Sequence, residues 1–232
     1  MYMASSVVCL IMFSMTKSYT KPQPLSKAVT VFTIGSGLGN INAVIQITKE
    51  GIMKVLIFNG SPRKGNTLTA IKAIEKGIAS RVDAADIEVT RIDAEGKNII
   101  PCRACNACGS MSRCIFADDS PQINEAVEAA DVIVFATPVY WWGVTAQLKL
   151  VIDKFYARAT RLGKGKRIAT VVIGGAELDD PEYEIIQKQF ACIADYLEWE
   201  IVFAKSIFAT GPKDLAGDEA AIAELEAFGA SL

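Results

Sequence analysis

The chain has 232 residues, 51% of them hydrophobic, with a formal net charge of −2 and no histidine. That length and apolar content suit one globular domain with a well-covered core, and the charge balance gives no bias toward nucleic acid. The missing histidine excludes imidazole bases, imidazole metal ligands and Ser-His or Cys-His nucleophile pairs, so hydrolytic triads are out.

Residues 1–52 read differently from the remainder. The apolar run Val7 to Phe13 is too short to span a bilayer, and no Lys or Arg precedes it as in a signal peptide. Val29 to Ile34, followed by Gly35, Gly37 and Gly39, imitates a dinucleotide fingerprint, but Asn40 stands where the third Gly or Ala belongs. Met53 immediately precedes a strong strand. The domain is therefore expected to start there, spanning 53–232, with residues 1–52 a non-native or poorly ordered extension.

The strand over 54–59 contains Val55 to Phe58, β-branched and aromatic enough for an inner parallel strand. Gly60, Ser61, Pro62 and Gly65 cannot continue it, and Asn66 and Thr67 open a helix that runs to Ala79. A helix start offers free backbone N–H groups and the positive end of the dipole. With Ser61, Arg63, Lys64, Gly65, Asn66 and Thr67 alongside, this loop predicts an anion site. Gly60 to Gly65 has the spacing of a nucleoside triphosphate loop, but Asn66 stands where the lysine belongs. The missing cation favours a terminal monophosphate held by hydroxyls and amides. An ordinary turn before a helix is the alternative. A receiver-type signalling domain would need carboxylates where Asn59 and Gly60 stand, and a cysteine phosphatase would need a cysteine within Ser61 to Thr67.

Ile87 to Ile92 reads as a second strand, completing a βαβ unit. Cys102, Cys105, Cys108 and Cys114 follow in a tight cluster, whereas Cys9 and Cys192 stand apart as a free residue in the extension and a core residue on a helix. A tight cluster points to metal or redox use in a reducing cytoplasm. Ser120 and Pro121 supply an N-cap and a first-turn proline for a helix to about Ala130, and Asp131 to Ala136 is a buried third strand ended by Thr137 and Pro138. A helix over 146–159, a strand over 167–173 closed by Gly174 and Gly175, a helix over 181–196, a strand over 200–203 and a helix over about 217–228 complete the chain. This alternation implies an α/β fold, a doubly wound five-stranded parallel sheet with helices on both faces and ligands at the carboxyl ends of the strands.

Pro138, Val139, Tyr140, Trp141, Trp142 and Gly143 follow the third strand. They are expected to form a flat apolar surface beside the phosphate loop, on which a planar ring can lie, with backbone N–H groups to bond its heteroatoms. A core or subunit-interface role for Tyr140, Trp141 and Trp142 is the alternative. Gly174 and Gly175 either admit a ring edge or merely close a strand. Lys149 and Asp153 are a helical i and i+4 surface pair.

Gly60 to Thr67, Thr137 to Gly143 with Gln147 to Asp153, and the cysteine cluster together resemble the flavodoxin-like NADPH-dependent FMN reductase family, including its iron-sulfur flavoprotein branch. The resemblance covers Met53 to about Gly211. It implies that Ser61, Arg63, Asn66 and Thr67 hold the FMN phosphate, that Pro138 to Gly143 cradle the isoalloxazine, and that the chain forms a homodimer or homotetramer over the flavin. Hydride transfer from NAD(P)H to a flavin needs two stacked rings and no protein acid or base, so a site without histidine is no obstacle. The reading is an FMN-dependent NAD(P)H oxidoreductase acting by ping-pong on a quinone, nitro compound, free flavin or metal chelate.

Cys102-x2-Cys105-x2-Cys108-x5-Cys114 has the ligand count of a 4Fe-4S centre and resembles the compact motif of iron-sulfur flavoproteins. Metal-free thiols near the flavin and a zinc site are the other readings, although all-cysteine zinc sites usually use two separated pairs. Arg103 and Arg113 either depress the thiol pKa values or are merely solvated. With a cluster, the alternative function is single-electron transfer between the 4Fe-4S centre and FMN from a ferredoxin-like donor. No membrane or nucleic-acid partner is expected.

Overall fold

The apolar stretch Val55 to Phe58 is the centre from which the fold grows. In a computed structural model, which describes residues 51–232, it forms β1 (Met53–Asn59), flanked by β2 (Ile87–Asp93) and β3 (Val132–Pro138). β4 (Arg167–Gly174) and β5 (Glu200–Phe208) extend the sheet beyond β3, with every pairing parallel and the order β2-β1-β3-β4-β5. That is the flavodoxin-like strand order. The helices are α1 (Asn66–Ala79), α2 (Cys108–Met111), α3 (Ser120–Ala129), α4 (Ala146–Lys154), α5 (Pro181–Leu197) and α6 (Glu219–Ser231).

The two-residue period of the strands sorts their side chains into two cores. Val55, Ile57, Val132, Val134 and Val171 share one with α1 and α6, while Leu56, Phe58, Ile133, Phe135 and Ile168 share the other with α3, α4 and α5. Phe135 is central to the second core, its ring centroid 5.3 Å from Phe58 and 4.9 Å from Phe190. Each such ring contributes about 1.5–3 kcal/mol by leaving water. On the first face, α1 and α6 touch backbone to backbone. A Cβ on Gly77 would lie 2.0 Å from the Glu226 carbonyl oxygen, and one on Gly229 would lie 2.2 Å from that of Ile74.

Several boundaries differ from those expected. β3 continues through Thr137 and Pro138, because both still pair with Val172 and Ile173 of β4. A proline at the last strand position costs nothing where no further ladder donor is needed. β5 runs to Phe208 rather than Phe203, since backbone pairing with β4 carries it past the polar Lys205 and Ser206 on a half-exposed edge. α4 ends at Lys154 and passes into a 3-10 turn over Phe155–Arg158 instead of continuing to Ala159. α3 takes Asp119 at its N-cap position, with Ser120 its first residue. β2 is an exposed edge strand despite its apolar residues. Cys192 is exposed on α5, not in the core. Residues 1–50, which carry Cys9 and the Gly35 to Gly39 run, lie outside the described residues. Among the described residues, no helix is long and apolar enough to cross a membrane.

The helix crossing gives a direct test. Gly77→Ala and Gly229→Ala are each expected to lower stability by about 1–3 kcal/mol through overpacking, read as a drop in the urea midpoint. An unchanged midpoint in both variants would mean that α1 and α6 do not meet at these glycines.

Candidate functional site

At the carboxyl end of β1 the chain must leave the sheet at once, because β3 occupies one side of it and the start of α4 lies ahead. Asn59, 5% exposed, makes the turn: its Nδ2 donates to Asp93 Oδ1 at 2.9 Å and its Oδ1 accepts the Ser61 N–H at 3.1 Å. The Gly60 N–H donates to the Ala136 carbonyl at 2.8 Å, adding one rung to the β1–β3 ladder. A side chain at Gly60 would press within 3.0 Å of Leu148 Cδ2 and 3.1 Å of Thr137 Oγ1. Ser61 then closes a tight local turn, its hydroxyl donating to the Arg63 carbonyl at 3.0 Å and accepting the Arg63 N–H at 3.3 Å.

This turn delivers the chain to α1, whose first turn has no side-chain cap and carries Gly65 at the N-cap position. Its first residues, Asn66 and Thr67, are buried, with Arg63 and Lys64 exposed at the rim. An uncapped start to a helix of 14 residues is the electropositive end of an aligned dipole. Asn66 does not take the role expected of it. Its Nδ2 donates to the Gly211 carbonyl at 2.7 Å and its Oδ1 accepts the Leu215 N–H at 3.2 Å, so its side chain ties the 211–215 turn to the loop. Gly65 sits against the same turn, where a Cβ would lie 3.1 Å from the Pro212 carbonyl oxygen.

The aromatic loop leaves β3 next door. Tyr140 and Gly143 exchange N–H to carbonyl bonds of 2.9 and 3.1 Å, which closes a two-residue turn over Trp141 and Trp142. Both tryptophans are left-handed, at φ +51° and +57°. This backbone usually belongs to Asn-Gly or Gly-Gly, so the turn holds strain of about 1–3 kcal/mol per residue. The indoles stand edge to face at 79°, not coplanar, so they do not form the flat surface expected. Trp141 is 91% exposed and Trp142 is 47% exposed, which excludes the core for both. Three amide N–H groups of this stretch are taken inside the protein, that of Val139 by the Ile173 carbonyl and those of Tyr140 and Gly143 by each other. Pro138, half-buried at the end of β3, has no N–H to offer.

Gly174 and Gly175 close β4 in different ways. A Cβ at Gly174 would fall 2.0 Å from Glu182 Oε1 and 2.8 Å from the Tyr183 hydroxyl, so packing of α5 explains that glycine. Nothing lies within 4 Å of a Cβ at Gly175. Burial, reinforced by Glu182, Asp180 and Glu177, pushes the Tyr183 phenol up to about 12. It remains a donor, to the Ala176 carbonyl at 2.7 Å.

The cysteines occupy the long connection between β2 and α3. Cys102 and Cys105 are exposed, Cys108 and Cys114 half-buried, and all four line one pocket of about 30 Å³ with Phe116, Lys154 and Tyr156. Among the described residues, no three metal-ligating side chains converge on a single ion position. Lys154 is a buried charged residue beside the cysteines that sequence reasoning missed. Only 2% exposed, it donates from Nζ to Asp118 Oδ2 at 2.8 Å and to Cys114 Sγ at 3.3 Å. Burial pulls the Lys154 ammonium down, but its bonds to Asp118 and Cys114 outweigh that and hold it above its ordinary 10.5. Burial likewise pushes the Asp118 carboxyl up, and donors from Lys154, Ser120 and Ile100 outweigh it, so the group lies below its ordinary 3.8. By contrast, Lys149 and Asp153 form an exposed pair at 2.5 Å on the surface of α4.

A family model for NADPH-dependent FMN reductase matches residues 53–187. An iron-sulfur flavoprotein of Methanocaldococcus jannaschii is 34% identical over 139 residues, 58% of this chain and 69% of that one. Another, from Methanosarcina thermophila, is 33% identical over 129 residues, 53% of this chain and 64% of that one. The chain thus spans about two thirds of the length of these relatives. Among solved structures, an NAD(P)H:quinone oxidoreductase from Methanothermobacter marburgensis aligns with TM-score 0.59 and 14% identity, covering 78% of this chain and 98% of that one. A Trp repressor binding protein from Bacillus subtilis aligns with TM-score 0.52 and 20% identity, covering 75% of this chain and 98% of that one. At such identities these two likenesses concern the fold alone.

The buried ion pair has a definite pH signature. Asp118, with its lowered carboxyl, contributes stability that is present above 3.8 and lost as pH falls through its lower folded value. Lys154, with its raised ammonium, contributes stability present below 10.5 and lost as pH rises through its higher folded value. Urea midpoints followed across pH are expected to fall at both extremes in the native chain and to fall less at both in the Lys154→Met, Asp118→Asn double variant. Parallel curves for the two proteins would contradict the pairing.

Proposed function

We propose a function from one premise: the chain belongs to the NADPH-dependent FMN reductase family. The protein is an FMN-dependent oxidoreductase that takes reducing equivalents from NAD(P)H and delivers them to a quinone, nitro compound, free flavin or metal chelate. The observation that carries this reading is the bare first turn of α1 beside the strained Trp141-Trp142 turn, at the carboxyl ends of the adjacent strands β1 and β3. This is the crevice where strand order reverses and where ligands of such sheets bind.

The residues fit the group in charge and in shape. A phosphate monoester needs amide donors and positive potential, which the uncapped turn supplies with Arg63 and Lys64 at its rim. Ser61 contributes by shaping the loop through Arg63, and Thr67 lies beside the first-turn amides. Asn66 acts indirectly, by fixing the 211–215 turn against the loop. A planar ring would lie against one face of the indole pair, and the amides of Trp141 and Trp142, which the Tyr140–Gly143 bonds leave aside, would meet its heteroatoms. The open space at Gly175 would admit a ring edge. When bound, FMN supplies hydride and single-electron chemistry, which requires no histidine from the protein. Trp141, at 91% exposed, is the group that a homodimer assembled over this turn would bury.

A second reading, single-electron transfer through an iron-sulfur group on the cysteines, is favoured by one observation. All four thiols line the same pocket, yet no three of them converge on a point. Four thiolates are the ligand count of a 4Fe-4S cluster.

Ser61→Asp brings a carboxylate into the turn before α1, keeping an acceptor for the Arg63 N–H but losing the donor to the Arg63 carbonyl. This variant is expected to retain at least tenfold less FMN than the native chain after desalting, with unchanged far-UV circular dichroism. Equal retention would move the site elsewhere. In the native protein purified without oxygen, a two-band yellow spectrum bleached by NADH or NADPH is the expected result for the reductase. Brown absorbance with iron and acid-labile sulfide would select the single-electron reading. Colourless protein that refuses added FMN would defeat both.

A further inference from the structure

We propose that Lys154 is a positioning residue that fixes Cys114 as the anchored ligand of an iron-sulfur group and raises the reduction potential of that group. This inference rests on the iron-sulfur reading of the cysteine loop. Lysine is almost never fully buried without partners, and here the partners are an aspartate and a cysteine. Asp118, whose side chain is fully buried, is already committed to the chain around it. It accepts the Ser120 O–H at 2.5 Å, the Ser120 N–H at 3.0 Å and the Ile100 N–H at 3.0 Å. The Lys154 ammonium is thereby held to a fixed carboxylate, and its bond to Cys114 Sγ ties that sulfur to the end of α4.

The other three thiols are not held in this way. Cys102 and Cys105 are exposed and flank Ala104, which is left-handed at φ +50°, and left-handed Asn106 at φ +56° precedes α2. Cys114 is the one tied to a buried side chain. The ring of Phe116 strengthens the arrangement, with Lys154 Nζ 5.6 Å and the Arg103 guanidinium 5.3 Å from its centroid.

The electrostatic consequence is directional. On reduction one electron enters the iron-sulfur group, no bond breaks, and the site becomes one unit more negative. A fixed positive charge and an N–H donor at a ligand sulfur stabilise the reduced form more than the oxidised one. The nearby Asp118 carboxylate acts with the opposite sign.

The test uses the full chain, expressed and purified without oxygen, with dithionite as reductant and redox mediators for spectroelectrochemical titration. Iron and acid-labile sulfide are measured on every sample. In Lys154→Met the reduced-to-oxidised ratio at a fixed applied potential is expected to fall about tenfold, equivalent to ~59 mV for a one-electron couple. In Lys154→Arg it should stay near that of the native chain, and in Asp118→Asn, which keeps the cation, it should rise. Opposite shifts from two buried partners are not what a merely structural role produces. Should Lys154→Met fail to fold, Asp118→Asn decides: a rise supports the inference and an unchanged or lower ratio overturns it. A loaded Lys154→Met protein with the native ratio overturns the inference alone. A native chain that carries no iron or sulfide overturns the iron-sulfur reading and the inference with it.

Discussion

The hydroxyl of Thr145 is the contact on which the site depends. Fully buried, it donates to the Gly60 carbonyl at 2.6 Å and accepts the Leu148 N–H at 3.3 Å, so one oxygen both grips the end of β1 and caps α4. An N-cap of this kind contributes about 1 kcal/mol, and the buried bond to Gly60 adds a further constraint in direction. Thr137 completes the junction, its hydroxyl accepting the Thr145 N–H at 3.4 Å and donating to the Pro138 carbonyl at 2.9 Å. The loop after β1, the aromatic loop and the start of α4 are therefore held by two hydrogen-bonded threonines, Thr137 and Thr145. None of the three can shift alone without leaving a buried donor or acceptor unpaired.

Such rigidity explains how a strained turn persists. Two consecutive tryptophans in the left-handed region cost more than most loops tolerate, and they stay there because the surroundings over-determine the backbone. Val139 is bonded to β4, Tyr140 and Gly143 to each other, and Thr145 to Gly60. The strain presents two large indoles to solvent, where neither contributes to a core. A fold that needed only to connect β3 to α4 would have used Asn-Gly at these positions. The backbone strain therefore serves no packing inside the described residues.

The sheet was legible because its inner strands are unbroken apolar runs, and parallel strands covered on both faces leave that trace wherever they occur. Edges were less so. β5 crosses Lys205 and Ser206 while keeping its backbone pairs, and nothing in a hydrophobic pattern reports a ladder bond. The turn between β1 and α1 could be located from Gly60, Ser61, Pro62 and Gly65, but the work of Asn66 could not be assigned. An asparagine at a helix start looks like a ligand contact, and only the fold shows that the 211–215 turn claims both ends of its amide. The aromatic loop was found for its composition and misjudged in shape, since a left-handed Trp-Trp pair sets the rings 79° apart. Lys154 escaped notice because a lysine in the last turn of a helix reads as a solvated dipole partner. Its burial is decided by Cys114 and Asp118, which lie 40 and 36 residues away in the chain.

α4 joins the two chemical regions as a single short bar. Its nine residues span roughly 14 Å, with Thr145 on the loop after β1 at one end and Lys154 on the cysteine pocket at the other. The helix dipole makes these ends unequal. The N-terminus is positive and the C-terminus negative. Lys154 is the cation that α4 itself places at the negative end, bonded to Cys114 and Asp118. Because the ammonium is buried and directed by Asp118, solvent does not screen it as it would a surface lysine. The same helix thus fixes the loop after β1 at one end and Cys114 at the other.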